Sequence, residues 1–278
     1  MQKYIFRSLY RHFTGGETIY SLNTKINELH KKNLYPIIDF IKESTDNNQD
    51  INNSILNYIE ISNISKIDYI ALKLSSLGFY EDKINCLVDM LIQHDKKVMI
   101  DAEGVDKQDK IDEITNNLIS KYNKNEVNVY KTYQMYRKDG LSKLQYDIHN
   151  IDNLGIKLVR GAYYNQDYKS NKLFTTKSET DLAYENAMKY IFKNEGLNTF
   201  ICTHNYYNIN LMIDYVKKSK NNNISHASLY GFINNDTERI IKSGISTYKY
   251  LPYGKFEDSV PYLTRRIYEN PKILFYML

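Results

Sequence analysis

The sequence predicts an α/β protein, a (β/α)8 TIM-like barrel with some distortion allowed and a short helix ahead of it. Three observations carry that expectation. Short β-rich runs recur along the chain at a period of roughly 30 residues, and helical patterns separate most of them. Eight such runs are found, the number this barrel needs. Polar side chains collect at the C-terminal ends of the runs, where barrels of this kind build their sites. A doubly wound sheet is the competing arrangement.

The N-terminal stretch "MQKYIFRSLYRHFTGGE" has no acid before Glu17 and carries Lys3, Arg7 and Arg11. It reads as a short amphipathic helix stopped at Gly15–Gly16; a transit peptide is the alternative. The β-rich runs follow at 35–41, 68–77, 97–103, 127–136, 154–163, 198–205, 224–231 and 246–254, the first being the least strongly patterned. Helical spacing is plain at Ile111, Ile114, Leu118 and Tyr122, and again at Ile209, Met212, Ile213 and Val216. The longer interval between 163 and 198 leaves room for a loop such as "NQDYKSNKLFTTKS" before its helix.

The last segment, "PYLTRRIYEN" at 261–270, concentrates hydrogen-bonding groups. With roughly 100° of rotation per residue, Tyr262, Arg265, Arg266 and Glu269 share one arc of a helix, while Leu263 and Ile267 fall on a neighbouring flank that can face a core. A solvated face with an Arg–Glu pair at i,i+4 is the plainer reading of that arc.

Composition narrows the function. The chain has 278 residues, 42% of them hydrophobic and 25% charged, enough for a sizeable core. No linker interrupts it, so one domain over 1–278 is expected. A net charge of +4 without a long basic run argues against nucleic acid as the main partner. The two cysteines, Cys86 and Cys202, make neither a disulfide framework nor a metal-ligand cluster, which suits a reducing compartment and no metal. No run of 18 or more apolar residues is present, so no membrane-spanning helix is expected. Neither GxGxxG nor GxxxxGK[ST] occurs, and no Ser-His-Asp order can be defended. What remains is the ring of polar residues at the strand ends: Lys73, Asp101 and Glu103, Gln134, Arg160, Thr203, His204 and Asn205, and Tyr250.

Several motifs then fall into one pattern. "DAE" (101–103), "TYQMY" (132–136), "KLVRGAYY" (157–164), "THN" (203–205), "YLPYG" (250–254) and "YLTRRIYEN" (262–270), in this order and spacing, resemble the catalytic domain of proline dehydrogenase. The resemblance runs from about Phe13 to the C-terminus, and its nearest relatives are the stand-alone enzymes. It implies a distorted (β/α)8 barrel holding FAD without covalent attachment. It implies oxidation of L-proline to Δ1-pyrroline-5-carboxylate by hydride transfer to flavin N5, with electrons passed to a quinone.

Carried over residue by residue, the resemblance puts the substrate-carboxylate clamp on Arg265 and Arg266. Leu229, Tyr250 and Tyr262 wall the proline ring, and Lys73 and Asp101 are polar groups on the substrate side. Lys73, Asp101, Tyr250, Arg265 and Arg266 form the catalytic set. The flavin-side positions are Gln134, Lys157, Val159, Gly161, Ala162, Tyr163, Thr203, His204 and Glu269. Tyr250 against C4 of the ring implies a preference for proline over 4-hydroxyproline. Departures from the family pattern are Arg160, a lysine in some members; Tyr164, where some carry tryptophan against the adenine; and Ser228, where glutamine is common. A hydroxyproline dehydrogenase, another barrel enzyme acting on a small carboxylate and a non-catalytic ligand-binding relic are the alternative functions. The expected location is cytoplasmic or peripheral to an inner membrane, mitochondrial if the basic N-terminus targets it, and not secreted.

Overall fold

The computed structural model describes residues 2–42, 44–219, 223–232 and 236–269. Its strands are β1 (Tyr35–Phe40), β2 (Tyr69–Leu72), β3 (Lys97–Ile100), β4 (Val129–Gln134), β5 (Gly155–Val159), β6 (Asn198–Cys202), β7 (Ile224–Leu229) and β8 (Thr247–Tyr253). They close into a barrel in sequence order, β1 beside β8, so the expected (β/α)8 architecture is the one observed. The helices are α1 (Gln2–Phe13), α2 (Ile19–His30), α3 (Asn48–Ser62), α4 (Glu81–Gln93), α5 (Gln108–Tyr122), α6 (Gly140–Asn150), α7 (Tyr164–Asp167), α8 (Lys177–Lys193), α9 (Tyr206–Ser219), α10 (Thr237–Lys242) and α11 (Phe256–Glu269).

The strands are shorter than the β-rich runs, because several runs include the loop that follows. In the second run the strand stops at Leu72, and "LSSL" forms a 3-10 turn ended by left-handed Gly78 (φ 61°). One boundary errs the other way. Tyr250 does not end β8; the strand continues through Leu251 and Pro252 to Tyr253. The long interval after β5 holds α7 and a second 3-10 turn, Tyr168–Ser170, before Thr176 and Glu179 cap the start of α8 reciprocally.

The chain forms two compact units. The first comprises Met1–Lys96, Ser228–Asn234 and Tyr248–Leu278. Within it β1 runs parallel beside β2 and β8, with Ile37 in register with both Tyr69 and Tyr250. The N-terminal stretch is the expected helix, and its apolar face is spent on the protein: Leu9, Tyr10 and Phe13 pack with Ile41, Tyr262 and Leu263. Polar bonds fix the same junction. The Tyr10 hydroxyl donates to the Gly254 carbonyl at 2.5 Å, and Gly15 N donates to the Pro252 carbonyl at 2.7 Å. Gly231 is needed there, because a Cβ at its φ of +85° would lie 2.3 Å from the Phe13 ring. In α11, Pro261 lacks the N–H that would bond the Glu257 carbonyl, so one rung is missing before the arginines.

The second unit comprises Lys97–Ala227 and Asn235–Thr247. It carries β3 to β6 and most of β7 in continuous parallel pairing. On β4 the alternation of strand side chains sends Thr132 to the Ile100 carbonyl (2.6 Å), while Lys131 and Tyr133 both reach Asp147, at 2.7 and 2.6 Å. That buried acid sits on α6, so one carboxylate fixes the helix against the strand.

Candidate active site

Substrate-side candidates other than Asp101 lie in the first unit. Lys73 follows β2, and its ammonium donates to the carboxylate of Asp39, which is only 2% exposed near the end of β1. Leu229 closes β7 and Tyr250 lies midway along β8; the ladder bond from Tyr230 N to the Tyr250 carbonyl, 3.0 Å, sets the two strands side by side here. On α11 the helical arithmetic holds. Leu263 is buried at 1%, Ile267 packs on the same core, and the arc beside them is not a solvated face: Tyr262 and Arg266 are buried at 7% and 8%. The Arg266 guanidinium lies 5.4 Å from the Tyr262 ring centre. Arg265 is half-buried. Glu269 ends the helix, and its side chain lies outside the described residues.

The remaining flavin-side candidates lie in the second unit, together with Asp101. Lys157 donates to Asp101 at 2.5 Å, and both are buried. Gln134, the last residue of β4, is buried; its Nε2 donates to the Glu103 carbonyl at 3.3 Å, while its Oε1 has no hydrogen-bond partner among the described residues. After β5 the backbone turns at Gly161 (φ +131°), where a Cβ would meet the Tyr136 ring at 1.9 Å. Val159, Ala162 and Tyr163 around it are half-buried. Arg160 is held on every side: Nε to Asp181 (2.9 Å), Nη1 to the hydroxyl of buried Thr203 (3.0 Å), Nη2 to Asn208 (2.6 Å), with the guanidinium 4.4 Å from the Tyr184 ring centre. That arginine fixes the "THN" turn, from which His204 projects as an exposed side chain. Tyr164 is exposed and donates to the Thr175 carbonyl at 3.2 Å.

A proline dehydrogenase profile matches residues 22–274. The chain belongs to the proline dehydrogenase family. It is 27% identical to the carbapenem antibiotics biosynthesis protein CarD of Pectobacterium carotovorum, over 93% of this chain and 78% of that one. It is 30% identical to the mitochondrial proline dehydrogenase 1 of Caenorhabditis elegans, over 68% of this chain and 34% of that protein. Against the solved proline utilization A of Bdellovibrio bacteriovorus the TM-score is 0.87 at 17% identity, covering 97% of this chain and 33% of that one. The chain thus spans about a third of the length of that proline dehydrogenase and of that solved structure.

Within this family frame, the reading of motifs alone passes over three residues. Asp39 sits inside the apolar run "YPIIDFI" and shows no motif; a single acid near the end of a buried strand is the only signal. Asp167 is buried at the end of α7, where its Oδ2 accepts from Val105 N (3.2 Å) and the Tyr136 hydroxyl (2.9 Å), joining the loops after β3, β4 and β5. Burial, and then the charge of Asp167, raise the pKa of the Tyr136 phenol, which stays a donor. Lys249, buried on β8, donates to the hydroxyl of Ser228.

Proposed function

We propose that the chain oxidises L-proline to Δ1-pyrroline-5-carboxylate with non-covalently held FAD and passes the electrons to a quinone. The observation that carries this reading is the α11 face, where Arg266 is buried beside Tyr262 and Arg265 stands next to it in the family's "YLTRRIYEN" motif. A carboxylate is planar and accepts bidentate bonds, and guanidinium matches it in shape and donor number. Two adjacent arginines grip the substrate carboxylate, and Tyr262, Tyr250 and Leu229 confine the ring. Lys73, bonded to Asp39, and Asp101, bonded to Lys157, are the polar groups that the family motifs imply for the substrate side.

The second unit's residues fit a flavin. The partnerless Gln134 Oε1 is an acceptor suited to a ring N–H. Lys157, Thr203 and His204 would supply further polar contacts, with Glu269 from α11. FAD held by these residues would supply the acceptor for the hydride from C5. The chain's own task is positioning. The substrate nitrogen must be neutral as the hydride leaves, because its lone pair forms the C=N bond; the remaining N–H proton then goes to solvent.

The test is an absorbance spectrum of the purified protein with and without L-proline, oxygen excluded. A flavin band that bleaches on adding L-proline is expected. A colourless protein that FAD cannot reconstitute would sink this reading and favour a relic barrel.

A further inference from the structure

Lys249 is a cation in a place where an apolar side chain would serve the fold better. It is 6% exposed on β8, and no carboxylate among the described residues pairs with it. Its ammonium donates to Ser228 Oγ at 2.8 Å, and Ser228 is itself buried on β7. Burial pushes the Lys249 pKa down to about 8. A buried charge bonded to one hydroxyl is costly, whereas methionine fills a similar volume without that cost.

The position of the bond suggests what it does. Strand side chains alternate between faces, so Lys249 and Ser228 lie on the face opposite their sequence neighbours Tyr250 and Leu229. Leu251, which shares the Lys249 face, lies against the Gly15 backbone after α1. The Lys249–Ser228 bond therefore ties β7 to β8 directly behind the two residues placed against the substrate ring. The Tyr230–Tyr250 backbone bond crosses the strands at the same level. Apolar contacts on a sheet face tolerate sliding by fractions of an ångström; a hydrogen bond at 2.8 Å is directional and fixes both atoms.

We infer that Lys249 and Ser228 are a positioning pair that sets the separation of Leu229 from Tyr250, and thereby which substituents at C4 of a five-membered imino acid the wall accepts. This rests on the proline-oxidation reading. It adds a selectivity device on the outer side of the wall, made of two residues that touch no substrate.

The experiment uses the FAD-loaded full chain and the variants Lys249→Met, Ser228→Ala and Ser228→Thr. Kinetics are measured on L-proline and trans-4-hydroxy-L-proline. Binding of a proline analogue with oxygen in place of the ring nitrogen is followed by calorimetry, a readout independent of turnover. Lys249→Met and Ser228→Ala are expected to raise KM for L-proline about fivefold, with kcat within about twofold, because uniform ring binding is lost. Both should narrow the preference over hydroxyproline by about the same factor and weaken analogue binding in step. Ser228→Thr keeps the hydroxyl and should behave as wild type. If both tie-breaking variants load FAD but leave KM, the preference and analogue binding unchanged, the pair has no positioning role. A wild type that neither oxidises L-proline nor binds the analogue overturns the parent reading, and this inference with it.

Discussion

Lys73 donates to Asp39 from the end of the neighbouring strand, and the acid it reaches is almost fully buried. Each residue fixes the other: the carboxylate holds the ammonium at one place, and the ammonium offsets the burial of the carboxylate. Removing the acid alone should hurt more than removing both charges, because breaking one partner of a buried ion pair costs more than replacing the pair. Asp39→Ala is expected to lower stability by about 3 kcal/mol, and Asp39→Ala with Lys73→Met by clearly less. Chemical denaturation of the three variants checks this. Equal losses in the single and double variants would contradict the coupling.

For the arginine pair, loss of either partner of a desolvated carboxylate contact costs about 2–5 kcal/mol. That is about 30-fold to several thousand-fold in catalytic efficiency at the usual 1.4 kcal/mol per tenfold. Arg265→Met and Arg266→Met should each lose L-proline turnover to this extent while retaining flavin. Near-normal kcat/KM in either variant removes it from the clamp.

At Gly161 two constraints coincide, a left-handed φ and the Tyr136 ring where a Cβ would go. Gly161→Ala must shift the β5 loop or displace Tyr136, whose hydroxyl is tied to Asp167. We expect FAD to bind about tenfold more weakly, a difference of about 1.4 kcal/mol, with folding retained. The ratio of flavin to protein absorbance after dialysis measures it. Full flavin retention would show that the loop has room to spare.

Lys249 gives a pH-dependent stability of definite sign. Its pKa is about 8 when folded and about 10.4 in an unfolded chain. Between those values the unfolded chain binds a proton that the folded chain does not, so stability rises as pH climbs from about 8 to about 10. Below pH 8 both states are protonated and the penalty for burying the charge is present in full. Lys249→Met should therefore be more stable than wild type by about 3 kcal/mol at pH 7. The gap should shrink toward pH 10. Melting temperatures of the two proteins across that range decide the matter; a gap constant with pH would mean that Lys249 does not titrate in this window.

The barrel was legible because each of its strands is an apolar run bounded by a helix, and even the weakly patterned first run proved to be β1, paired on both sides. The α11 face was legible because helix geometry fixes angular position from sequence spacing alone, and the burial of Leu263, Tyr262 and Arg266 follows it. Tyr250 was counted among the strand-end residues although its β-rich run extends to 254 and the strand itself to Tyr253. Pro252 stays in the strand, with its carbonyl accepting from Gly15. The charged ties Lys73–Asp39, Lys157–Asp101 and Lys249–Ser228 were not legible. Their partners stand 34, 56 and 21 residues apart, and nothing local in the sequence marks a side chain that reaches across to another strand.

The Tyr10–Gly254 bond spans 244 positions of the chain. A ribosome delivers α1 well before the β8–α11 corner. Until residue 254 and the following helix have emerged, Leu9, Tyr10 and Phe13 have no surface to cover them. Docking of α1 therefore waits for that corner, and its aromatic face is exposed while the intervening barrel is made. Nascent chains should be protease-sensitive and chaperone-dependent around α1 until that corner has been made. The helix bearing the arginine pair would then settle only as that docking is made.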